Sequence, residues 1–212
     1  ESRTQTFKMR PEQHYAVERT AEYYAAAKKD EPNRIPKFLW NAKMRFGKTF
    51  ASYQLARKMG LKRVLVLTFK PAVESAWRED LVSHVDFEGW QFVSNKDAHN
   101  NNVNMDQQFA MADKSKPIVV FGSFQDLLGT NDAGGIKAKN EFIHDVNWDL
   151  VIFDEYHFGA WRENAKKLFE NPDEEADSDF DMEKYKRDEA DNAYNESFLP
   201  ITTDYYLFLS GT

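Results

Sequence analysis

The sequence predicts an α/β domain, a mostly parallel sheet sandwiched by helices. Three observations carry this. The runs "FLWNA" (38–42), "RVLVLTF" (63–69), "PIVVFGS" (117–123) and "WDLVIFDE" (148–155) are apolar without the alternation of a half-exposed strand. Such runs are read as strands buried on both faces. Segments of helical spacing separate them, and that alternation calls for parallel pairing through crossovers. Glycine, lysine and paired carboxylates follow the ends of these runs, at the edge where open α/β sheets bind ligands.

The elements follow in order. Pro11 suits the first position of a helix running to about Lys28, and "DEPNRIPK" is a loop. "FLWNA" is the first buried strand. "TFASYQLARKM", 49–59, has helical spacing, and Gly60 suits its end. "RVLVLTF" is the second strand, and "PAVESAWREDLVSHV", 71–85, begins a helix at Pro71. "WQFVS", 90–94, reads as a short strand, "NKDAHNNNVNMD" as a polar loop and 106–113 as a short helix. After "PIVVFGS", the segment "DAGGIKAKNEFIHDV" holds a Gly-rich turn and a helix. A further helix is expected over 161–169, and "DYYLFLSGT" closes the chain as a strand.

The 212 residues suit one large domain, 1–212, and no internal repeat divides them. The net charge of −7 is local in origin. Residues 170–191, "ENPDEEADSDFDMEKYKRDEAD", hold 11 acidic and 3 basic residues, and the remainder holds 24 acidic and 25 basic. That segment reads as an acidic surface insertion on a near-neutral body, so the acidic total does not exclude a nucleic-acid partner. No apolar run is long enough to span a membrane. The opening "ESRTQTFKMR" is neither a signal nor a transit peptide. The chain has no cysteine, which excludes disulfides and thiolate metal sites and fits a reducing, cytoplasmic setting.

"AKMRFGKT", 42–49, matches a phosphate loop with Ala42 in the place of the first glycine. Backbone N–H groups of Lys43, Met44, Arg45 and Phe46 would turn toward phosphates, and the following helix N-terminus adds partial positive charge. Gly47 allows close approach, Lys48 neutralises the β- and γ-phosphates, and the Thr49 hydroxyl suits Mg²⁺. "LVIFDEYH", 150–157, places two carboxylates where a strand leaves the core. Asp154 can hold Mg²⁺ through water, and Glu155 can orient and deprotonate a water that attacks the γ-phosphate. "LFLSGT", 207–212, puts small hydroxyl residues after a strand, a pattern also common in turns.

In this order the segments resemble the first motor domain of superfamily 2 helicases and translocases, a RecA-like domain with a phosphate loop. "AKMRFGKT" is similar to motif I, "VLVLTFKPAV" to Ia, "VVFGSFQDL" to Ib, "DEYH" to a DExH-type motif II and "SGT" to motif III. "MRPEQ" resembles the element whose glutamine reads adenine. The resemblance covers about residues 7–212 and is closest to helicase subunits related to restriction enzymes, of the type III Res and type I R kinds. It implies ATP and Mg²⁺ as cofactors and Gln13 at the adenine edge with Arg10 nearby. It also implies that His157, Ser210 and Thr212 couple the ATP state to movement, with Lys70 and Ser123 near a nucleic-acid backbone.

The implied partners are DNA, most naturally duplex, a second RecA-like domain of the same protein, and nuclease or methyltransferase subunits. The second domain supplies arginine fingers, so this stretch is expected to be one half of a longer motor, weak or inactive by itself. An RNA helicase motor and a non-catalytic ATP-binding half stay open as alternatives. Arg45 within the loop, Tyr156 in "DEYH" and the acidic insertion depart from the common pattern.

Other chemistries fit less well. "NKDA", 95–98, fails the base-reading pattern of a GTPase at its fourth position. "DEYH" with a terminal "SGT" suits small-molecule kinases poorly. The five histidines are scattered without HExxH, and no G-x-S-x-G occurs. "PD" at 172–173 lacks the downstream partners of a nuclease signature.

Overall fold

A computed structural model of the chain describes residues 2–43, 45–68, 73–96, 103–123, 127, 141–154 and 201–210. Among the described residues six strands form one sheet: β1 (Lys37–Asn41), β2 (Arg63–Thr68), β3 (Gln91–Val93), β4 (Ile118–Ser123), β5 (Asn147–Phe153) and β6 (Thr202–Ser210). Their order is β1-β6-β5-β2-β4-β3, and every pairing is parallel. The helices are α1 (Pro11–Asp30), α2 (Lys48–Lys58), α3 (Glu74–Ser83), α4 (Met105–Met111) and α5 (Glu141–Asp145). A 3₁₀ turn spans Val85–Phe87.

Alternate residues of each central strand enter two cores. Val64, Val66, Val119, Phe121, Leu150 and Ile152 pack against α1, α2 and α3. Leu65, Leu67, Val120, Val151 and Phe153 face the side covered by Met105 of α4 and Ile143 of α5. Each fully buried Val or Leu contributes about 1.5–3 kcal/mol, which offsets the cost of ordering the chain. This two-sided burial is why β2, β4 and β5 read as unbroken apolar runs.

The first strand is a correction. "FLWNA" was expected to be buried, but β1 stands at the sheet edge and only Trp40 of it is buried. Leu39 is 54% exposed. Five apolar or neutral residues in a row do not distinguish an edge from a centre, because that depends on which strands come home beside them.

Other boundaries moved by a few residues. Helix α1 runs two residues past Lys28, and α4 begins at Met105. The described part of the third helix begins at Glu74 rather than Pro71, and residues 71–72 lie outside the described set. The expected Gly-rich turn, the helix over 161–169 and the acidic segment 170–191 also lie outside it. Among the described residues no helix is long and apolar enough to cross a membrane.

Candidate functional site

The C-terminal edge of the sheet collects the polar residues. Asn41 of β1 pairs with Ser210 of β6, and the Ala42 N–H donates to the Ser210 carbonyl at 2.9 Å. Phe153 pairs with Phe208, so β5 leaves the core beside β6, and Asp154 follows at once. Thr68 and Ser123 are paired at the ends of β2 and β4. Parallel pairing thus brings Ala42, Asp154, Ser123 and Ser210 to one edge, although they are far apart in the chain.

Between β1 and α2 the chain makes a tight loop. The Phe46 N–H donates to the Lys43 carbonyl at 3.1 Å, closing a turn with Arg45 at its third position. Arg45 has φ 72°, a left-handed value that glycine adopts freely and other residues at a cost of about 1 kcal/mol or more. The Arg10 guanidinium donates to the carbonyls of both Arg45 and Phe46 and so braces this turn. Gly47, at φ 76°, stands at the N-cap of α2. Glycine has no side chain to cap with, so Gly47 satisfies none of the first N–H groups of α2.

Gln13 is 4% exposed and bound on both sides of its amide. Its Oε1 accepts the Arg10 N–H at 2.9 Å, and its Nε2 donates to the Phe46 carbonyl at 2.7 Å and the Gly47 carbonyl at 3.4 Å. The structure therefore brings Arg10 and Gln13 against the loop. They contact its backbone.

Lys48 opens α2 and Asp154 directly follows β5, and their side chains meet at 2.6 Å. Asp154 is fully buried. A buried carboxylate is costly unless its oxygens are satisfied. Lys48 Nζ satisfies Oδ1, and the Trp77 indole N–H donates to Oδ2 at 2.8 Å. The Thr49 hydroxyl donates to Asp80 Oδ2. Partial burial pushes the Asp80 carboxyl above its ordinary value, and the Thr49 hydrogen bond pulls it part of the way back.

Trp77 and Asp80 were not among the residues the sequence pointed to. Both fell within the expected helix "PAVESAWREDLVSHV" with no role attached to either. Their spacing of three was the only signal, and many helix pairs share it. Lys43 is exposed in the loop. Met44, Lys70, Glu155, His157 and Thr212 lie outside the described residues.

His84 is a structural histidine. Its Nδ1 accepts the Asp86 N–H at 3.1 Å, so its Nε2–H donates to the Phe7 carbonyl at 2.6 Å.

With this geometry in place, the chain matches the family described as type III restriction enzyme, res subunit, over residues 6–176. The chain belongs to that family. The match takes in "MRPEQ", "AKMRFGKT" and "DEYH" together. This res-family chain is 34% identical over 157 residues to the C-terminal part of a candidate type II restriction enzyme and methyltransferase from Mycoplasma pneumoniae. The alignment covers 68% of this chain and 20% of that protein, so the chain spans about a fifth of its relative's length. In structure it is similar to the SWI2/SNF2 ATPase core of Sulfolobus solfataricus, solved in complex with dsDNA. That likeness has a TM-score of 0.53 at 16% identity, over 97% of this chain and 32% of the other. The fold is thus the RecA-like fold that the resemblance implied.

Proposed function

We propose that this res-family chain is the first ATP-binding half of a superfamily 2 motor from a restriction system, one that couples ATP hydrolysis to movement on duplex DNA. The observation that carries the reading is the Lys48–Asp154 contact of 2.6 Å across the C-terminal edge of a parallel sheet. It joins the start of the helix after a glycine loop to the carboxylate at the end of a buried strand. The family match and a fold shared with a DNA-bound ATPase core support the same reading.

In this reading the loop 42–49 and the α2 N-terminus bind the phosphates of ATP. Lys48 exchanges its ion pair with Asp154 for the β- and γ-phosphates. Gln13 exchanges a loop carbonyl for the adenine edge, with Arg10 beside it. Glu155 takes a proton from the water that attacks the γ-phosphorus, and the γ-phosphate leaves ADP as inorganic phosphate.

The residues also suit Mg²⁺. Thr49 donates its hydroxyl hydrogen bond to Asp80, so the lone pairs of its oxygen can face a cation, and Asp154 supplies an anionic oxygen ligand beside it. Among the described residues no cluster of three or more His, Cys, Asp or Glu side chains forms a protein-only metal cage. That accords with a cation held by one carboxylate, a hydroxyl and substrate phosphates. Thr49 and Asp154 would hold Mg²⁺, which supplies charge neutralisation on the phosphates when bound.

His157, Ser210 and Thr212 are proposed to pass the state of the γ-phosphate to the DNA track, with Lys70 and Ser123 nearer that track. A second RecA-like domain completes the motor with an arginine finger, and nuclease or methyltransferase parts are its expected company.

The test compares Lys48→Ala, Lys43→Ala and Glu155→Gln by calorimetric ATP binding and DNA-stimulated hydrolysis in the full-length protein. Lys48→Ala should weaken ATP binding at least about tenfold, Lys43→Ala by less, and Glu155→Gln should bind ATP without turning it over. Parental ATP affinity in Lys48→Ala would sink the reading.

A further inference from the structure

Helix α3 meets the candidate nucleotide site twice. Trp77 and Asp80 are three residues apart and so share one helix face. Trp77 donates its indole N–H to Asp154 Oδ2 at 2.8 Å. Asp80 accepts the Thr49 hydroxyl and also the backbone N–H of Phe50. One face of one helix therefore binds both residues assigned to the cation, and it does so from outside the loop and strand that carry them.

Building on the ATP·Mg²⁺ reading above, we propose that Trp77 and Asp80 are positioning residues for Mg²⁺: Asp80 accepts the Thr49 hydroxyl hydrogen bond and so orients its oxygen, and Trp77 fixes the Asp154 carboxylate. A threonine hydroxyl carries one proton and two lone pairs. A cation needs a lone pair, so the proton must be held elsewhere. A carboxylate is the strongest neutral-pH acceptor a side chain offers, and charge-assisted bonds are roughly twice as strong as neutral ones. Asp154 poses the complementary problem. Lys48 holds Oδ1 at 2.6 Å but is also the side chain assigned to phosphate. When Lys48 turns to phosphate, the Trp77 indole keeps the carboxylate in place through Oδ2. Indole N–H is a donor only and carries no charge. It orients the carboxylate without competing with a cation for its negative charge.

The bland account is that Asp80 merely caps α2 through Phe50 N–H, the third N–H of the helix, because Gly47 offers no side chain. The two accounts differ in what metal does. A cap supports the helix with or without metal, whereas a positioning residue acts on the part of ATP affinity that metal adds.

The experiment measures ATP binding by calorimetry in Mg²⁺ and in EDTA, with the full chain, for the parent, Asp80→Ala, Trp77→Phe, Thr49→Ala and the Thr49→Ala/Asp80→Ala double variant. Denaturation midpoints are taken alongside. Asp80→Ala should lose about tenfold in affinity with Mg²⁺ and change less than about twofold in EDTA. The double variant should lose no more than Thr49→Ala alone, because both changes remove the same oriented hydroxyl. Asp80→Asn, which keeps an acceptor oxygen, should restore most of the Mg²⁺-dependent gain. Trp77→Phe leaves the Asp80 cap intact and should show its own Mg²⁺-specific loss, so it carries the test even if Asp80→Ala fails to fold. Equal losses with and without Mg²⁺ would overturn the proposal in favour of the cap. If the parent gains no affinity from Mg²⁺, the ATP·Mg²⁺ reading falls and takes this proposal with it. If the parent gains it and both variants keep the full gain, the reading stands and the positioning role is overturned.

Discussion

Gly47 shows how much a single residue can be constrained. Its φ of 76° is strained for any residue with a side chain, and a Cβ there would lie 2.4 Å from Gln13 Nε2. The contact is with the amide that bridges α1 to the loop, so two effects act together. Gly47→Ala should destabilise the fold by about 1–3 kcal/mol and push Gln13 from the Phe46 carbonyl. Chemical denaturation measures the first effect, and a parental midpoint would mean that the loop relaxes freely. At this scale the sequence was informative where chemistry demands a residue type. Gly47, Lys48, Thr49 and Asp154 were singled out because phosphate and metal binding, where they occur, restrict the residue types that can serve, and the structure brings Lys48 and Asp154 into contact. Trp77 and Asp80 were not, because an indole and a carboxylate on a helix serve many purposes. Their partners are residues 77 and 31 positions away in the chain.

At the scale of elements, buried phenols tie helices to one another and to the sheet. Tyr24 of α1 donates to the Tyr206 carbonyl of β6, and Tyr53 of α2 donates to the Trp77 carbonyl of α3 at 2.8 Å. Burial pushes both phenols well above their ordinary value. In the unfolded chain they ionise near pH 10, so above that pH the unfolded state releases protons first. Stability from these two groups is thus complete below about pH 10 and is lost as pH rises beyond it. Denaturation midpoints should fall steadily in that range, and the fall should be shallower in Tyr53→Phe, at the cost of about 1 kcal/mol at neutral pH. An unchanged alkaline slope in Tyr53→Phe would count against the assignment. Helix α3 is also stapled at its far end. The Thr4 and Gln5 N–H groups donate to the Ser83 carbonyl at 3.0 and 2.9 Å, and Arg3 donates to the Leu81 carbonyl at 3.1 Å. One helix therefore supports the segment leading to Gln13, the Thr49 hydroxyl and the Asp154 carboxylate. The element pattern was legible in the sequence, since all six expected strands formed. Helix starts were less so, because the first turn is set by caps as much as by apolar spacing.

For the whole molecule, charge and topology can be separated. The 170–191 segment carries 11 acidic and 3 basic residues, and its reading as a surface insertion rests on composition alone. Replacing it with a short Gly/Ser linker should leave the denaturation midpoint and ATP affinity near parental values, because loop-closure entropy changes slowly with length. A cooperative loss of the folded state after the swap would place the segment in the core. What the sequence by itself determined is the parallel α/β class and the residue types offered at the proposed nucleotide site. Two-sided burial writes itself as unbroken apolar runs, and phosphate chemistry narrows the choice of residues in the loop. What only the tertiary structure decided is the strand order, the exposure of β1 at the sheet edge, and the grip of α3 on Thr49 and Asp154. Those depend on contacts between residues distant in the chain. Apolar periodicity records that a face is buried but carries no mark of which neighbour buries it.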